Sequence, residues 1–401
     1  MTEMSSLSPQ RGKLPVARPR SRIEELAVWW REVDKFLLGL IVALAGIGIA
    51  AVAVASPATA ADLSTASERL DPLHFLYLHL RWLVVGFAAM IFVSMQSKRD
   101  VRRGALLAAA GFTGLLLLVP IAGYEVNGAQ RWIRLGMGVQ PAEFLKPAFA
   151  VALAWVLSWR LKDPGIPVVG LAVAYFGLIA ALLMMQPDFG STVLFGGVLG
   201  VLILVSGVPF QRFAMFGGAA LGALALVLLL YENGRNRILA FFSGGTEFDQ
   251  VDLAARTLRA GGWLGTGPFM GERKMALPEA HTDYIFSVIG EEFGLVTCGI
   301  VILVYLALVI RILSRVADEE DLFAVLASTG LVALVGGQAF INILVNLQLF
   351  PSKGMTLPLI SYGGSSTIAL FLALGMLLAL TRRNPYLSRE GPLWADRGDD
   401  A

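Results

Sequence analysis

Apolar runs long enough to cross a lipid hydrocarbon core recur along this chain, separated by polar interruptions of very unequal length. A helix needs roughly 20 apolar residues to cross the ~30 Å of hydrocarbon. On that rule, spans are expected near 36–55, 76–95, 104–123, 144–161, 166–185, 191–208, 213–231, 284–311, 322–347 and 365–381. The fold class predicted is an all-α polytopic membrane protein of about ten transmembrane helices. Residues 1–35 read as a disordered cytoplasmic tail, 36–384 as one ten-helix membrane domain and 385–401 as a second cytoplasmic tail. The longest interruption, 232–283, lies between the seventh and eighth spans and has room for helices of its own. Within it, Asp249 to Arg259 places Val251, Ala254 and Leu258 at helical spacing, which predicts an amphipathic helix that either lies at the interface or covers the bundle.

Charge orients the spans. With the N-terminus inside, 20 of the 32 Lys and Arg residues fall on the inner side, including Lys98, Arg99, Arg102 and Arg103 in one short segment. Such clusters hold a loop in the cytoplasm, so both termini are expected there. The outward segments are then 56–75, 124–143, 186–190, 232–283 and 348–364. Composition agrees with a chain dissolved in lipid: 56% of residues are hydrophobic and 15% charged, with a mean hydropathy of +0.69. A soluble enzyme is excluded, and a net charge of +2 gives no field for nucleic acid. The first 35 residues lack an apolar core followed by a small-residue cleavage site and read as a tail, not a signal peptide. The one cysteine, Cys298, sits in an apolar run and reads as a packing residue.

Ionisable groups at membrane depth cost several kcal/mol unless paired or wetted, so they are candidates for function. Four stretches carry them. In the first, Gln130-Arg131-Trp132-Ile133 is followed by Gln140-Pro141-Ala142-Glu143-Phe144-Leu145-Lys146, where Glu143 and Lys146 can pair across one helical turn. The pair either anchors the helix or lines a polar cavity. The second, Gln186-Pro187-Asp188-Phe189-Gly190, is a tight turn in which Asp188 is placed to cap the next helix. The third runs from Leu277 through Glu279, His281 and Asp283 to Glu291 and Glu292, and Asp283 is a second candidate N-cap. A single histidine beside an aspartate does not make a zinc site. The fourth, Pro351 to Ser366, holds Lys353, Ser361 and Ser365 among prolines and glycines. Irregular backbone at that depth survives only when buried in protein or lining a wet cavity, and its hydroxyls and N–H groups suit an anion such as phosphate.

These stretches, in this order, closely resemble the SEDS family of membrane glycosyltransferases, which polymerise peptidoglycan from lipid II. The resemblance covers residue 36 to about Asn384 and rests on Gln130 to Ile133, Gln140 to Lys146, Gln186 to Gly190, Leu277 to Asp283 and Ser361 to Ser366. Pro351-Ser-Lys-Gly-Met-Thr-Leu-Pro358 resembles the division branch of the family more than the elongation branch, which usually lacks the lysine. Tyr284, Pro147 and Arg259-Ala260 depart from the usual pattern without touching these motifs.

The resemblance implies that a sugar hydroxyl attacks the anomeric carbon of a lipid-linked disaccharide and expels undecaprenyl diphosphate. Asp283 matches the family's essential aspartate and is the expected general base. Arg131, Lys353 and Lys274 are the expected cations for the diphosphate, with Trp132, Ser361 and Ser365 beside it. Glu143, Lys146, Asp188, Gln186, His281 and Glu279 are expected to line the polar cavity. A divalent cation, magnesium or manganese, has a place near Asp283; no organic cofactor is implied. The implied partners are lipid II, the nascent glycan strand, a class B penicillin-binding protein acting as transpeptidase, and other division membrane proteins, at the septum of the bacterial inner membrane. A lipid II flippase is the main rival, although no inverted repeat supports it. An elongation-type polymerase and a recruiting scaffold follow it.

Overall fold

The computed structural model describes residues 22–64, 69–126, 129–163, 165–209, 250–351 and 354–382, with isolated positions 211, 214, 217, 218 and 222. Two compact units are present. Of the described residues, one contains helix α1 (Arg22–Glu32). A helix thus stands inside the expected 1–35 tail, where Ile23, Leu26 and Trp30 recur at helical spacing.

The second unit, Asp34–Arg382, carries the membrane helices. These are α2 (Lys35–Leu63), α3 (His74–Ser94), α4 (Lys98–Ala122), α5 (Pro141–Ser158), α6 (Val168–Met185), α7 (Phe189–Val205), then a short α8 (Gln250–Ala260), and α9 (Ile285–Val316), α10 (Leu322–Asn346) and α11 (Gly364–Thr381). Among the described residues, eight helices are long and apolar enough to cross a membrane, and α7 is a shorter apolar helix. The span expected at 213–231 lies outside the described residues, apart from positions 214, 217, 218 and 222.

Two segments differ from the sequence reading. Lys98, Arg99, Arg102 and Arg103 are not loop residues but the first turns of α4. The Ser97 hydroxyl accepts the Asp100 N–H at 3.1 Å, and this cap starts the helix ahead of the apolar run. Residues 124–139 form a three-stranded antiparallel sheet: β1 (Tyr124–Val126), β2 (Ala129–Leu135) and β3 (Met137–Val139). Gly136, at φ 77°, closes the β2–β3 turn, a conformation that glycine adopts without strain.

Helices α2 and α9 are pinned antiparallel at both ends. At one end Asp34 caps α2 through the N–H groups of Phe36 and Leu37 and pairs with Arg311 and Arg315, each at 2.8 Å. At the other, Thr59 and His281 share a 3.0 Å hydrogen bond. Gly48 of α2 admits the loop before α11: a Cβ there would lie 2.6 Å from the Leu359 carbonyl oxygen.

Thirty-two residues is more than a bilayer requires, and α9 is broken at Gly294 (φ 83°, ψ 171°). The break leaves backbone groups that must find other partners. Leu295 and Val296 donate to the carbonyls of Gly262 and Trp263 at 3.0 and 3.2 Å, while Thr266 and Gly267 donate back to Glu291 and Glu292 carbonyls at 2.8 and 3.1 Å. The 261–267 loop is thereby zipped into the kink. Helix α8 buries Val251, Ala254 and Leu258 and packs against α9, so it covers the bundle. Cys298 is buried, as expected of a packing residue.

A side chain at position 294 would meet both strain and backbone: its Cβ would lie 2.5 Å from Gly265 N and from Leu264 C. Gly294→Ala is expected to cost about 1–3 kcal/mol from the backbone conformation alone. Its thermal-unfolding midpoint in detergent should fall below that of Gly39→Ala, whose added Cβ meets nothing within 4 Å.

Candidate active site

Asp283 ends the turn that leads into α9. The helix is entered through Tyr284, whose side chain makes no capping bond, so Asp283 is not the cap that its position suggested. Its backbone carbonyl is held instead by Asn342 at 2.8 Å and Asn346 at 3.2 Å, both from α10. The carboxylate is left without a capping role. Burial pushes its pKa up to about 8, and the nearby Glu279, Glu143 and Asp188 push the same way, while Arg131 pulls it down. The side chain is half-buried and keeps some contact with solvent, which tempers the shift without changing its sign.

Arg131, on β2, reaches across to the turn between α6 and α7. Its Nε donates to the Gln186 carbonyl at 3.0 Å and its Nη2 to the Pro187 carbonyl at 2.6 Å. The remaining nitrogen, Nη1, lies near Gly354 in the loop before α11, and the guanidinium charge acts on Asp283. A methyl group built on Gly354 would lie 3.4 Å from Asp283 Oδ2 and 4.0 Å from Arg131 Nη1. Three segments far apart in sequence therefore converge on one point. Lys353, next to Gly354, lies outside the described residues. Asp188 caps α7 by accepting the Ser191 N–H at 3.1 Å, and its charge still acts on Asp283. Gln186 contributes its carbonyl to Arg131; its own side chain is buried.

On the adjoining wall Lys146 pairs with Glu143 at 2.6 Å, one turn apart on α5. The ammonium also reaches Gln338 Oε1 at 3.5 Å, and Gln338 Nε2 donates to the Thr356 carbonyl at 2.9 Å. Thr356 Oγ1 meets Ser366 Oγ at 3.2 Å. Ion pair and loop thus form one chain of polar contacts, as the anchoring reading of Glu143 and Lys146 expects.

Other expected site residues are committed elsewhere. Lys274 is buried and paired with Glu292, so its charge is committed to holding the 261–276 loop. Glu291 accepts the N–H groups of Arg273 and Lys274 at 2.7 and 2.9 Å, so both glutamates hold the 261–276 loop. Ser361 donates its proton to the Thr282 carbonyl at 2.6 Å and accepts the Leu357 N–H at 2.7 Å, which makes it a staple of the loop and not a phosphate donor. Ser365 accepts the Gln140 N–H at 3.3 Å. His281 stacks on Tyr362, 5.3 Å between centroids, and packs on Phe75; burial holds its imidazole down to about 4, so it carries no charge near neutrality. Glu279 accepts from Thr282 Oγ1 at 2.7 Å, and Trp132, half-buried, lies opposite Tyr124 in the sheet.

The residues absent from the sequence reading are Gln338, Asn342 and Asn346. Three buried amides at intervals of four on one membrane helix are a visible signal, since each must find partners inside the protein. As for a divalent cation, Glu143 is bound to Lys146, Glu279 to Thr282 and Asp188 to the start of α7. Among the described residues no three Asp, Glu, His or Cys side chains converge as ligands. The donors do not fit a preformed cation site, and no chemical step is assigned to one.

An apolar groove of about 560 Å³ runs between α7, α9 and α10, lined by Leu194, Gly197, Tyr305, Val309, Gly336 and Phe340 among others. It connects to the loop before α11 through Tyr305, whose hydroxyl donates to the Pro358 carbonyl.

Comparison with known proteins gives this arrangement a family. The probable peptidoglycan glycosyltransferase FtsW of Caulobacter vibrioides is 38% identical over 362 residues, covering 90% of this chain and 92% of its own. The protein of the same description in Alkalilimnicola ehrlichii is 37% identical over 370 residues, covering 87% and 89%. Among solved structures, a chain of a peptidoglycan synthase complex that coordinates polymerization and crosslinking is similar with a TM-score of 0.71 and 28% identity, over 87% of this chain and 97% of that one. The rod shape determining protein RodA of Thermus thermophilus has a TM-score of 0.66 and 27% identity over 88% and 97%. The family model described as cell cycle protein matches residues 35–386, in agreement with the motifs, and the chain belongs to this FtsW/RodA/SpoVE family.

Proposed function

We propose that this chain is the peptidoglycan glycosyltransferase of cell division, polymerising lipid II into glycan strands with Asp283 as its general base. The glycosyltransferase activity follows from family membership and from relatives over most of the chain. The observation that carries the base assignment is a carboxylate that caps no helix, has a raised pKa and lies within the influence of the Arg131 charge.

In the reaction the acceptor's 4-hydroxyl oxygen attacks the donor's anomeric carbon. The bond to the diphosphate oxygen breaks, that oxygen leaves with the electron pair, and the hydroxyl proton passes to Asp283. Diphosphate is a good leaving group, so no second carboxylic acid is needed to protonate it. Arg131 is the proposed partner of the charge that develops there, and Lys353, next in sequence to Gly354, is proposed as a second cation. The apolar groove beside Tyr305 suits the polyprenyl chain. The site faces outward with both termini in the cytoplasm, in keeping with the inner-side excess of Lys and Arg. A class B penicillin-binding protein is the proposed partner, supported by similarity to a synthase-complex chain.

Strand formation from purified lipid II should fall at least ~10²-fold in Asp283→Asn, with or without a partner transpeptidase. Equal polymerisation by wild type and variant would end the base assignment; transport of lipid across vesicles without polymer would favour a flippase.

The base must be ionised to act, so kcat/KM should rise with pH and level off above a midpoint near 8. Glu279 raises the Asp283 pKa and Arg131 lowers it. Glu279→Gln should therefore move the midpoint to lower pH and Arg131→Gln to higher pH, each read from rates normalised to their own plateau.

A further inference from the structure

Asp283 is placed by its backbone, and one side chain dominates that placement. Asn342 is 2% exposed, and both of its amide protons are spent on carbonyls of different segments: Asp283 at 2.8 Å and Met355 at 2.7 Å. The first segment carries the base. The second carries Gly354, whose Cα lies beside the Asp283 carboxylate and Arg131. Neither carbonyl belongs to a regular element that would fix it otherwise, since Asp283 precedes the entry to α9 and Met355 lies in irregular chain.

Asn346, one turn further along α10, adds a second tie. Its Oδ1 accepts both the Ser287 N–H at 3.1 Å and the Ser287 hydroxyl at 2.7 Å, and so caps the first turn of α9 from a neighbouring helix. Its Nδ2 reaches the Asp283 carbonyl and both oxygens of Asn342. One turn the other way, Gln338 ties Thr356 to Lys146. The three amides form a ladder along one helix face, and Asn342 is the rung common to base and loop.

We infer that Asn342 is a positioning residue for the glycosyl transfer, setting the gap between the Asp283 carboxylate and the Gly354–Thr356 loop in which the reacting atoms must sit. The inference rests on Asp283 acting as the base. The physical reason is leverage. A buried amide with two geometrically fixed donors holds two chains in register, and a misplacement of about 1 Å at a reacting group can cost ~10²-fold in rate. A residue serving stability alone would not alter the environment of the Asp283 carboxylate. With the tie cut, water gains access to a carboxylate whose pKa is raised chiefly by burial, with Glu279, Glu143, Asp188 and Arg131 as the charges facing it.

The test compares wild type with Asn342→Ala in the full-length chain together with its partner transpeptidase, following polymerisation of lipid II across pH. Expected are a fall in kcat of about 10–100-fold, a KM for lipid II within about threefold, and a kcat/KM midpoint moved to lower pH. If Asn342→Ala does not fold, Asn342→Gln carries the same expectations, because its extra methylene displaces the donor pair while keeping its chemistry. Wild-type kcat in the variant overturns the proposal, as does a loss of kcat with the midpoint unmoved. Asp283→Asn, run in parallel, separates the two claims. If it retains activity, the base assignment itself has failed; if it is inactive while Asn342→Ala is normal, only the positioning role has.

Discussion

Non-helical chain inside a low-dielectric bundle must satisfy every backbone polar group from within the protein, because no water is at hand to do so. The stretch from Met355 to Tyr362 is held under that constraint. Its polar groups are met by Asn342 at Met355, Gln338 at Thr356, Ser361 at Leu357, Tyr305 at Pro358 and the His281 carbonyl at Tyr362. Apart from Ser361, which belongs to the stretch itself, those partners come from α9, α10 and the turn before α9, so satisfying the loop also assembles the site. The same bonds that make irregular backbone tolerable bring Gly354, Asp283 and Arg131 to one point.

At Asp283, burial and the neighbouring carboxylates act in one direction, and Arg131 alone among the nearby charges opposes them. Arg131 uses two of its nitrogens on carbonyls of the α6–α7 turn while its charge acts on Asp283, so a structural clamp and an electrostatic influence reside in one guanidinium. Asp188 does likewise, capping α7 while adding negative charge near Asp283. Each group is fixed by a task in the fold, and that fixity keeps the site organised before substrate arrives, the condition under which electrostatic stabilisation is most effective.

Much of this was legible in the sequence. Apolar run length located the membrane helices, the Val251, Ala254, Leu258 spacing located α8, and the pair Glu143 and Lys146 followed from a three-residue interval. The losses have physical causes. Residues 124–139 read as loop because three short strands leave little periodicity, although Gly136 marked a turn. Lys274 and Ser361 read as ligands of phosphate because composition shows which groups can donate and not where their protons are already spent. Asp283 read as a cap because its place before a helix is the usual one, and only the structure gives that entry to Tyr284. The amides of α10 went unread for the opposite reason: they carry no charge, and attention to ionisable groups passes over them.

The break at Gly294 divides α9 into unequal parts. The nine residues from Ile285 to Phe293 are joined to the 261–276 loop through Glu291, Glu292 and the strand-like exchange of backbone bonds, while the remainder packs as an ordinary membrane helix. Mechanically, Asp283 stands at the head of a short plank that ends at a glycine break and is bolted to a surface loop, not on a post driven through the bilayer. Force applied to that loop acts on the plank that carries Asp283, with the long arm of α9 as its fixed mount.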